Sequence, residues 1–586
     1  MSMLKRMIIL ALLTSVLSVT VMAQGDGMKR VPDDQEAQAK RTKLATESET
    51  IALQDSFEAA EILCTLKNVA ENREERDEEQ DLSEKVKLYQ QQVTDTGDAR
   101  AMNALGVCLS KGQGIEMNKE RAVLYFQQAA DKGYTDAMSN LGCCYKDGAG
   151  VGKDLNKAVM FFQQAADLGN VNAMYNLGLC YMGGKGVEED AKKAVECFQK
   201  AADLGSVKAL NLLGSCYMTG LGVVQNYSKG LELYHQAAAK GNEKAMFYLG
   251  SIYMYEFEGF GVKRDSSKAI QWYKCAAGKG YADAMYKLGL HYMNGDGVEK
   301  NVETAVNWLE KAADFDHPDA MCILGICCAN GYGTEKDEKK AIDLYIKSAK
   351  LGQADAMFLL GLCYESGSGV DKDIDKAIYC WNQASILGQS DAICILGTCY
   401  EKGEGVVKNV EEAVRWYKKA VELGSTKAMY NLGMCFFTGK GVEKNIKMAV
   451  ELWKQASDLD QADAMSNLGE CYAIGLGVNK NMSEAVKLWS ISASLGHVNA
   501  MFKVGQCYAV GLGVNKNMSE AVKLWSRSAS LGHVNAMLKL GQCYMEGKGV
   551  EKNIEKAVEL YRQAASAGNS HAEIKLKELG REESTI

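Results

Sequence analysis

Proline is almost absent from this chain of 586 residues, which contains only 2. Average usage would give about 30 prolines at this length. A proline inside a helix removes a hydrogen bond and clashes with the preceding turn, so its scarcity favours helices throughout the sequence. A collagen is excluded, because that structure needs abundant proline and a glycine at every third position.

Basic side chains are outnumbered, since 67 Lys and Arg accompany 75 Asp and Glu and give a net charge of −8. A pI of about 5.6 gives no support to nucleic-acid binding, which normally needs a basic face. Histidine is scarce, with 6 residues, and no His-Glu-x-x-His, paired Cys-x-x-Cys or Gly-x-Ser-x-Gly motif is present. The sequence therefore predicts no catalytic residue, no metal site, no cofactor and no enzymatic activity.

Long apolar runs are missing except at the N-terminus. Lys5 and Arg6 precede the apolar run 7–21, which ends at a small-residue site before Gln24 that is typical of signal-peptide cleavage. Residues 1–23 are therefore predicted to be a signal peptide, with a single membrane anchor as the alternative. After cleavage we expect a secreted or periplasmic chain that does not span a membrane.

Glycine, in contrast, is abundant, with 58 residues where average usage would give about 40. The 47% hydrophobic content excludes a flexible Gly/Ser linker, so the glycines must occupy fixed places in folded structure. Self-comparison finds the pattern Ala-Met-x-x-Leu-Gly-x-Cys-Tyr at a period of 36, with one step of 39. We number each repeat from this alanine as position 1, which recurs at 101, 137, 173, 209, 245, 284, 320, 356, 392, 428, 464, 500, 536 and 572.

Each repeat predicts two helices, which we term helix A and helix B. In the repeat that begins at Ala173, apolar residues at helical spacing form helix A, and a Gly-x-Gly turn at 184–186 ends it. Asp190 then starts helix B, and this position is Asp or Asn in all 13 repeats, as expected of a helix N-cap. Gly142 and its equivalents lie inside helix A at a cost of about 1 kcal/mol, which predicts a close approach by another helix.

Four motifs complete the repeat: Ala-x-x-x-Leu-Gly-x-x-Tyr, Gly-x-Gly-Val, Lys-Ala-x-x-(Trp/Tyr)-(Tyr/Phe) and Ala-Ala-x-x-Gly. In these motifs the chain resembles the Sel1-like repeat proteins, which are relatives of the tetratricopeptide repeat with a longer, Gly-rich loop. The resemblance implies an all-α fold, an α/α superhelical solenoid of 13 helix-turn-helix repeats over residues 101–571 that binds proteins or peptides. It does not extend to the flanking regions.

The flanking regions have their own patterns. Residues 24–43 are polar and are predicted to form a disordered linker. Residues 44–100 are predicted to form an N-terminal helical cap, in which 81–96 aligns with a helix B as a degenerate half-repeat. Residues 572–586 are predicted to form a C-terminal capping helix and tail.

Cysteine is frequent, but most copies occupy one repeat position. Equivalent atoms of stacked helices are about 8–10 Å apart, whereas a disulfide needs Cα atoms within about 7 Å. We therefore predict thiols packed between helices, with one or two bridges among the remaining cysteines left open. The Helicobacter cysteine-rich proteins, also Sel1-like, carry a disulfide in each repeat, and this chain lacks their cysteine pair in slots such as Ala165-Ala166. Position 8, termed here the thiol position, holds Cys108, Cys144, Cys180, Cys216, Ile252, His291, Cys327, Cys363, Cys399, Cys435, Cys471, Cys507 and Cys543.

The functional surface is then expected to be a face of the solenoid. Helix A lines the concave side in the tetratricopeptide relatives, and alignment with them makes positions 3, 7, 10 and 11 inward-facing. Aromatic residues and methionine recur at positions 3 and 10, which suits adaptable peptide binding, although packing between repeats is the alternative. The predicted partner-binding residues are Tyr175, Met182, Met218, Phe247, Met254, Tyr286, Met293, Phe358, Glu365, Glu401, Tyr430 and Phe437.

The predicted function is a non-enzymatic scaffold or adaptor that binds protein or peptide partners along this groove. The alternative is a cell-wall-associated Sel1-like protein that binds or hydrolyses β-lactams, although no nucleophile paired with a base stands out. A luminal adaptor in protein quality control is a third possibility, which the missing C-terminal retention signal does not favour. His497 and His533 share a repeat position and are predicted to be surface residues.

Overall fold

The structure, a computed structural model, describes residues 81–255 and 263–583, and these residues contain 28 helices and no strand. The predicted signal peptide, the linker 24–43 and the part of the N-terminal cap before residue 81 lie outside the described residues. None of the helices in the described ranges combines the length and the hydropathy that crossing a bilayer requires.

The chain divides into two compact units, Met1–Asp190 and Ala191–Ile586, and each is described by itself. The first unit contains α1 (81–96), α2 (Ala99–Lys111), α3 (Lys119–Asp131), α4 (Thr135–Asp147), α5 (Leu155–Asp167) and α6 (Val171–Gly183).

The second unit contains the remaining helices, α7 to α28. They are α7 (Ala191–Asp203), α8 (Val207–Thr219), α9 (Tyr227–Ala239), α10 (Glu243–Met254), α11 (Ser266–Ala277), α12 (Ala282–Asn294), α13 (Val302–Asp314), α14 (Pro318–Asn330), α15 (Glu338–Lys350), α16 (Ala354–Ser366), α17 (Ile374–Ile386), α18 (Ser390–Lys402), α19 (Val410–Glu422), α20 (Thr426–Thr438), α21 (Ile446–Ser457), α22 (Ala462–Ile474), α23 (Met482–Ser494), α24 (Val498–Val510), α25 (Met518–Ser530), α26 (Val534–Glu546), α27 (Ile554–Ser566) and α28 (Ser570–Glu583).

Within each unit the helices form the predicted pairs, and in chain order the even-numbered helices from α2 to α26 correspond to helices A and the odd-numbered helices from α3 to α27 to helices B. This arrangement confirms the all-α fold class and matches a helical solenoid of 13 repeats. The two additional helices stand at the ends. The backbone of Leu82 in α1 lies against Gly114, as the start of a preceding helix B does at Gly150, so α1 occupies the place of a helix B.

Local hydrogen bonds explain where the paired helices begin and end. In repeat 12, Asn517 accepts a hydrogen bond from the backbone N–H of Glu520 (3.1 Å), which satisfies a free donor at the start of α25 and confirms the predicted N-cap. Helix α24 ends at Gly511, whose φ of 86° is readily adopted only without a side chain. The Gly511 N–H donates to the carbonyl oxygen of Cys507 (2.7 Å) and closes the helix.

In eleven repeats the glycine inside helix A meets an aromatic ring of helix B in the same repeat, and in repeat 6 Gly289 meets Leu309 instead. A Cβ atom built on Gly505 would lie 2.5 Å from Nε1 of Trp525, and one on Gly250 would lie 2.6 Å from the ring of Tyr273. The predicted close approach is therefore present, and the group that approaches the glycine is a large side chain of helix B. The ring fills the space above the glycine, which lets helices A and B pack tightly.

Successive repeats share one core, as stacked helical hairpins require. One cluster combines Phe502, Trp525, Met537, Leu540 and Tyr561, which come from repeats 12 and 13. Burying one such side chain contributes roughly 1.5–3 kcal/mol relative to leaving it exposed. Each repeat thus depends on its neighbour for stability.

The thiol position belongs to this core. Nine of its eleven cysteines are buried, and all eighteen cysteines within the described residues are free thiols. Burial raises the pKa of the Cys216 thiol to about 11, so the thiol is neutral at pH 7 and behaves as a small apolar group. The packing role predicted for this position agrees with its burial, and Ile252 and His291 are buried there as well.

Candidate partner-binding face

Helices A of adjacent repeats touch one another, as α18 and α20 do in the second unit. Position 4 of one repeat reaches position 3 or 7 of the repeat before it. The Nδ2 of Asn140 donates to Oδ1 of Asn103 (2.9 Å), and the Nδ2 of Asn467 lies 3.3 Å from the sulfur of Met434. Side chains at equivalent positions of adjacent helices A therefore form rows.

Positions 3, 4, 7, 10 and 11 of helix A fall within about 120° of the helix circumference, so they share one side. We call this side the helix A face. Position 11 is exposed, as at Lys402 and Val510, whereas position 3 lies at the boundary with the core. The helix A face is therefore exposed at position 11 and largely closed at position 3.

The structure divides the twelve predicted site residues by burial. Met254 and Tyr286 are only 2% and 7% exposed, and the other ten are half-buried. The ring of Tyr286 stacks on that of His317, the N-cap of the next helix A (α14), with centroids 4.7 Å apart. At Met254 and Tyr286 the side chain packs within the array, as the alternative interpretation expects, and offers a partner little surface.

The other aromatic residues at position 3 are partly engaged. The ring of Phe247 packs edge-on against that of Tyr281 (5.3 Å), and the backbone carbonyls of Phe358 and Tyr430 accept hydrogen bonds from tryptophan side chains of their own repeats. All three side chains are half-buried, so a partner would reach only part of each.

The predicted acidic residues have different surroundings. The carboxylate of Glu401 accepts a hydrogen bond from the hydroxyl of Tyr417 (2.8 Å), and burial together with this carboxylate raises the pKa of Tyr417. Neighbouring Lys402 lies 3.6 Å from Glu404 in an exposed ion pair. Glu401 thus contributes to the packing of its own repeat as well as to the surface.

One opening on the helix A face lies in repeats 11 to 13 and is lined by residues of α22, α24 and α26. It is a cleft of about 450 Å³. Trp489 and Trp525 form its floor, and Met482, Val510 and Leu512 form apolar walls. Val510 and Leu512 are 67% and 48% exposed, so much of the apolar wall is in contact with solvent.

Charged side chains line the same cleft, and among the described residues only one of its two lysines has an ion-pair partner. Lys503, at position 4 of repeat 12, forms an ion pair with Glu470 at position 7 of repeat 11. Its Nζ atom also lies 5.4 Å from the centre of the Trp489 ring. One repeat later, Gln506 takes the position of Glu470 and Lys539 takes that of Lys503. Lys539 has no hydrogen bond or ion pair within the described part of the chain.

Sequence reasoning missed this cleft, since the predicted residues end at Phe437. The sequence signal that could have located the cleft was a difference between repeats 11 and 12, which contain nearly identical segments. Segments 479–501 and 515–537 differ only at Ile491 and Arg527, whereas position 7 changes from Glu470 to Gln506. A charge that varies on the open face of repeats whose helices B are near copies indicates a surface with its own chemistry.

The two duplicated histidines have a structural role that the surface interpretation did not anticipate. Nδ1 of His497 accepts a hydrogen bond from the Ala500 N–H (3.0 Å), and Nδ1 of His533 accepts one from the Ala536 N–H (3.1 Å). Both imidazoles are half-buried N-caps of helices A. Nε2 of His497 also reaches a carboxylate oxygen of Asp463 (3.3 Å), which links the start of α24 to the start of α22.

Within residues 81–255 and 263–583, no group of three or more His, Cys, Asp or Glu side chains is placed to hold a metal ion. The chemistry that the cleft does offer is recognition: apolar side chains, the ammonium group of Lys539 and the exposed amide of Gln506.

Comparison with known proteins identifies the family to which these repeats belong. The model of the Sel1 repeat matches thirteen segments between residues 99 and 569, and their bounds follow the observed helix pairs. The chain belongs to the Sel1 repeat family. Solenoids of this family are generally non-catalytic scaffolds for protein interactions.

Among solved structures, the Sel1 repeats resemble those of a protective antigen of uropathogenic Escherichia coli with an SLR fold. Identity is 31%, the match covers 78% of this chain and 97% of that one, and the TM-score is 0.55. A Sel1 repeat protein from Oxalobacter formigenes is 28% identical over 42% of this chain and 96% of its own, with a TM-score of 0.38. Helicobacter pylori cysteine rich protein B is 31% identical over 22% of this chain and 95% of its own, with a TM-score of 0.19. No curated protein sequence matches the chain.

Proposed function

We propose that this Sel1 repeat protein is a non-enzymatic scaffold that binds peptide segments of partner proteins on its helix A face. The observation that carries the proposal is the cleft of repeats 11 to 13. There, apolar walls and charged side chains are exposed next to each other on adjacent helices A.

The apolar walls supply a driving force for binding. Covering about 100 Å² of apolar surface contributes roughly 2.5 kcal/mol, and Val510 and Leu512 are among the more exposed apolar side chains of the chain. An extended peptide of a few residues is long enough to cross from α22 to α26, because adjacent helices pack about 8–10 Å apart. The cleft therefore suits a short linear segment.

The half-buried side chains of Phe358, Tyr430 and Phe437 are proposed as further contacts on the same face of the second unit. Tyr175 and Met182 in the first unit are half-buried in the same way. Export of the protein stays a prediction from residues 1–23, which the structure does not describe.

Selection of displayed random peptides on the chain from residue 24 onward tests the function. We expect selected peptides to lose at least tenfold in affinity for the double variant Val510→Asp and Leu512→Asp. Ile386→Asp is the matched control, because Ile386 is 74% exposed on helix B and lies outside the cleft. Circular dichroism checks that all variants keep their helices. Failure to select any peptide, or equal losses in the control, would overturn the proposal.

A further inference from the structure

Repeats 11 to 13 present the same pair of positions twice, once with its charges balanced and once without. At the first junction Glu470 neutralises Lys503. At the second junction the acidic residue is replaced by Gln506, and the lysine, Lys539, is retained. The cleft therefore carries one uncompensated positive charge at the end formed by repeat 13.

The acidic residue on the helix of Lys539 does not compensate this charge by contact. Glu546 forms an ion pair with Lys548 (2.5 Å) and accepts a hydrogen bond from Gln542 (2.9 Å). Both Lys539 and Gln506 are exposed. Together they offer an ammonium group and a side-chain amide N–H, which are donors suited to one carboxylate.

We propose that the cleft binds an acidic peptide segment in which an apolar residue lies next to a carboxylate. The apolar side chain covers Leu512 and Val510, and the carboxylate pairs with Nζ of Lys539 and accepts from the amide of Gln506. The proposal rests on the function proposed above and adds the chemical class of the ligand. A basic residue at the same place would face an unpaired ammonium group, so the cleft discriminates by charge.

Glu470 has a definite role in this scheme. By pairing with Lys503 it removes the second positive charge from the cleft, which limits the site to a single carboxylate. Replacing Glu470 by Gln frees Lys503, and a peptide with two acidic residues then finds two partners. Replacing Gln506 by Glu copies the Glu470–Lys503 pair at the second junction and occupies Lys539 within the protein.

Three displayed libraries test the ligand class, each with random flanks and a fixed centre of Leu-Glu, Leu-Gln or Leu-Lys. Peptides with the Leu-Glu centre are expected to be enriched. Replacing their Glu by Gln, or using the variant Lys539→Met, should lower affinity roughly tenfold, as expected for a hydrogen bond to a charged group. The effect of Lys539→Met should shrink at high salt.

The variants at position 506 separate charge from packing. Gln506→Glu should weaken Leu-Glu peptides roughly tenfold, whereas Gln506→Ala should weaken them only slightly, because it adds no charge. Glu470→Gln should strengthen peptides with two acidic residues. Lys487→Met is the control for Lys539→Met, since Lys487 is exposed on helix B outside the cleft.

The outcomes distinguish the two proposals. Equal enrichment of the Leu-Glu and Leu-Gln libraries, with Gln506→Glu without effect, overturns the acidic ligand and leaves peptide binding in place. Binding by none of the three libraries overturns both proposals.

Discussion

Repeats 5 and 6 depart from the common repeat pattern at different places from repeats 11 and 12. In repeat 5, α10 ends at Met254 with Tyr255 extended, where α24 of repeat 12 ends at a left-handed glycine. Repeat 6 places His291 at the thiol position, inside the core. Repeats 11 and 12 both keep a cysteine at the thiol position and a tryptophan in helix B, and one of their differences lies on the helix A face, where Gln506 takes the position of Glu470.

The cost of the two kinds of change differs. His291 is 6% exposed, stacks on the ring of Tyr273 and leaves both ring nitrogens without a hydrogen bond, which is unfavourable for a buried polar group. The replacement of Glu470 by Gln506 leaves the core intact and alters only surface charge. Variation in the core of a repeat therefore affects stability, whereas variation on the helix A face affects recognition.

The largest expected effect on stability comes from a feature that both pairs of repeats share, the glycine inside helix A. Gly250→Ala and Gly505→Ala each place a methyl group against a buried ring, at Tyr273 and Trp525 respectively. We expect each variant to lose about 3 kcal/mol of stability through overpacking. Hydrogen exchange of the affected helix pair measures the loss. Gly183→Ala is the control, since its Cβ would meet only the side chain of Lys185, at 3.6 Å. A loss at only one of the two glycines would mean that the regions pack differently.

The next effect is specific to repeat 6. Burial lowers the pKa of His291 from 6.5 to about 4, an effect that Lys287 and Arg264 reinforce and Asp296 opposes. Between these values the unfolded chain binds a proton that the folded chain does not, so stability falls as the pH falls from 6.5 towards 4. At pH 5 the loss is about 2 kcal/mol.

The variant His291→Cys restores the residue found in eleven other repeats and should remove this pH dependence. Hydrogen exchange of α12, measured at pH 7 and pH 5 with correction for the intrinsic exchange rate, compares the variant with the natural chain. An equal response to pH in both proteins would show that His291 does not cause it. Repeat 12, with Cys507 at the same position, is the internal reference.

The features that the sequence predicted well depend only on residues within a single repeat. The Asp or Asn before helix B, such as Asn517, needs only the first turn of its own helix to act as a cap. The thiol position and Gly505 are defined by spacing along one hairpin. These features recur with the period of the sequence, and the structure confirms them.

What the sequence did not predict depends on contacts between repeats. Tyr286 turns inward because His317, the N-cap of the next helix A (α14), provides a ring to stack on. The cleft depends on Lys503 reaching Glu470 across 33 residues, and no pattern within one repeat contains that pair. His533 was overlooked as a cap because the preferred N-caps are Ser, Thr, Asp and Asn.

The smallest expected effect on stability concerns the histidine N-cap, which the two near copies share as His497 and His533. His533 begins α26 through Nδ1 and its ring also packs on Phe502, with centroids 4.6 Å apart. His533→Ala removes both contacts, whereas His533→Asn restores an acceptor without a ring. The difference between the two variants therefore isolates the cap, and we expect it to be about 1 kcal/mol in favour of Asn. Hydrogen exchange of the first turn of α26 measures it, and equal exchange in the Ala and Asn variants would show that His533 acts through its ring alone.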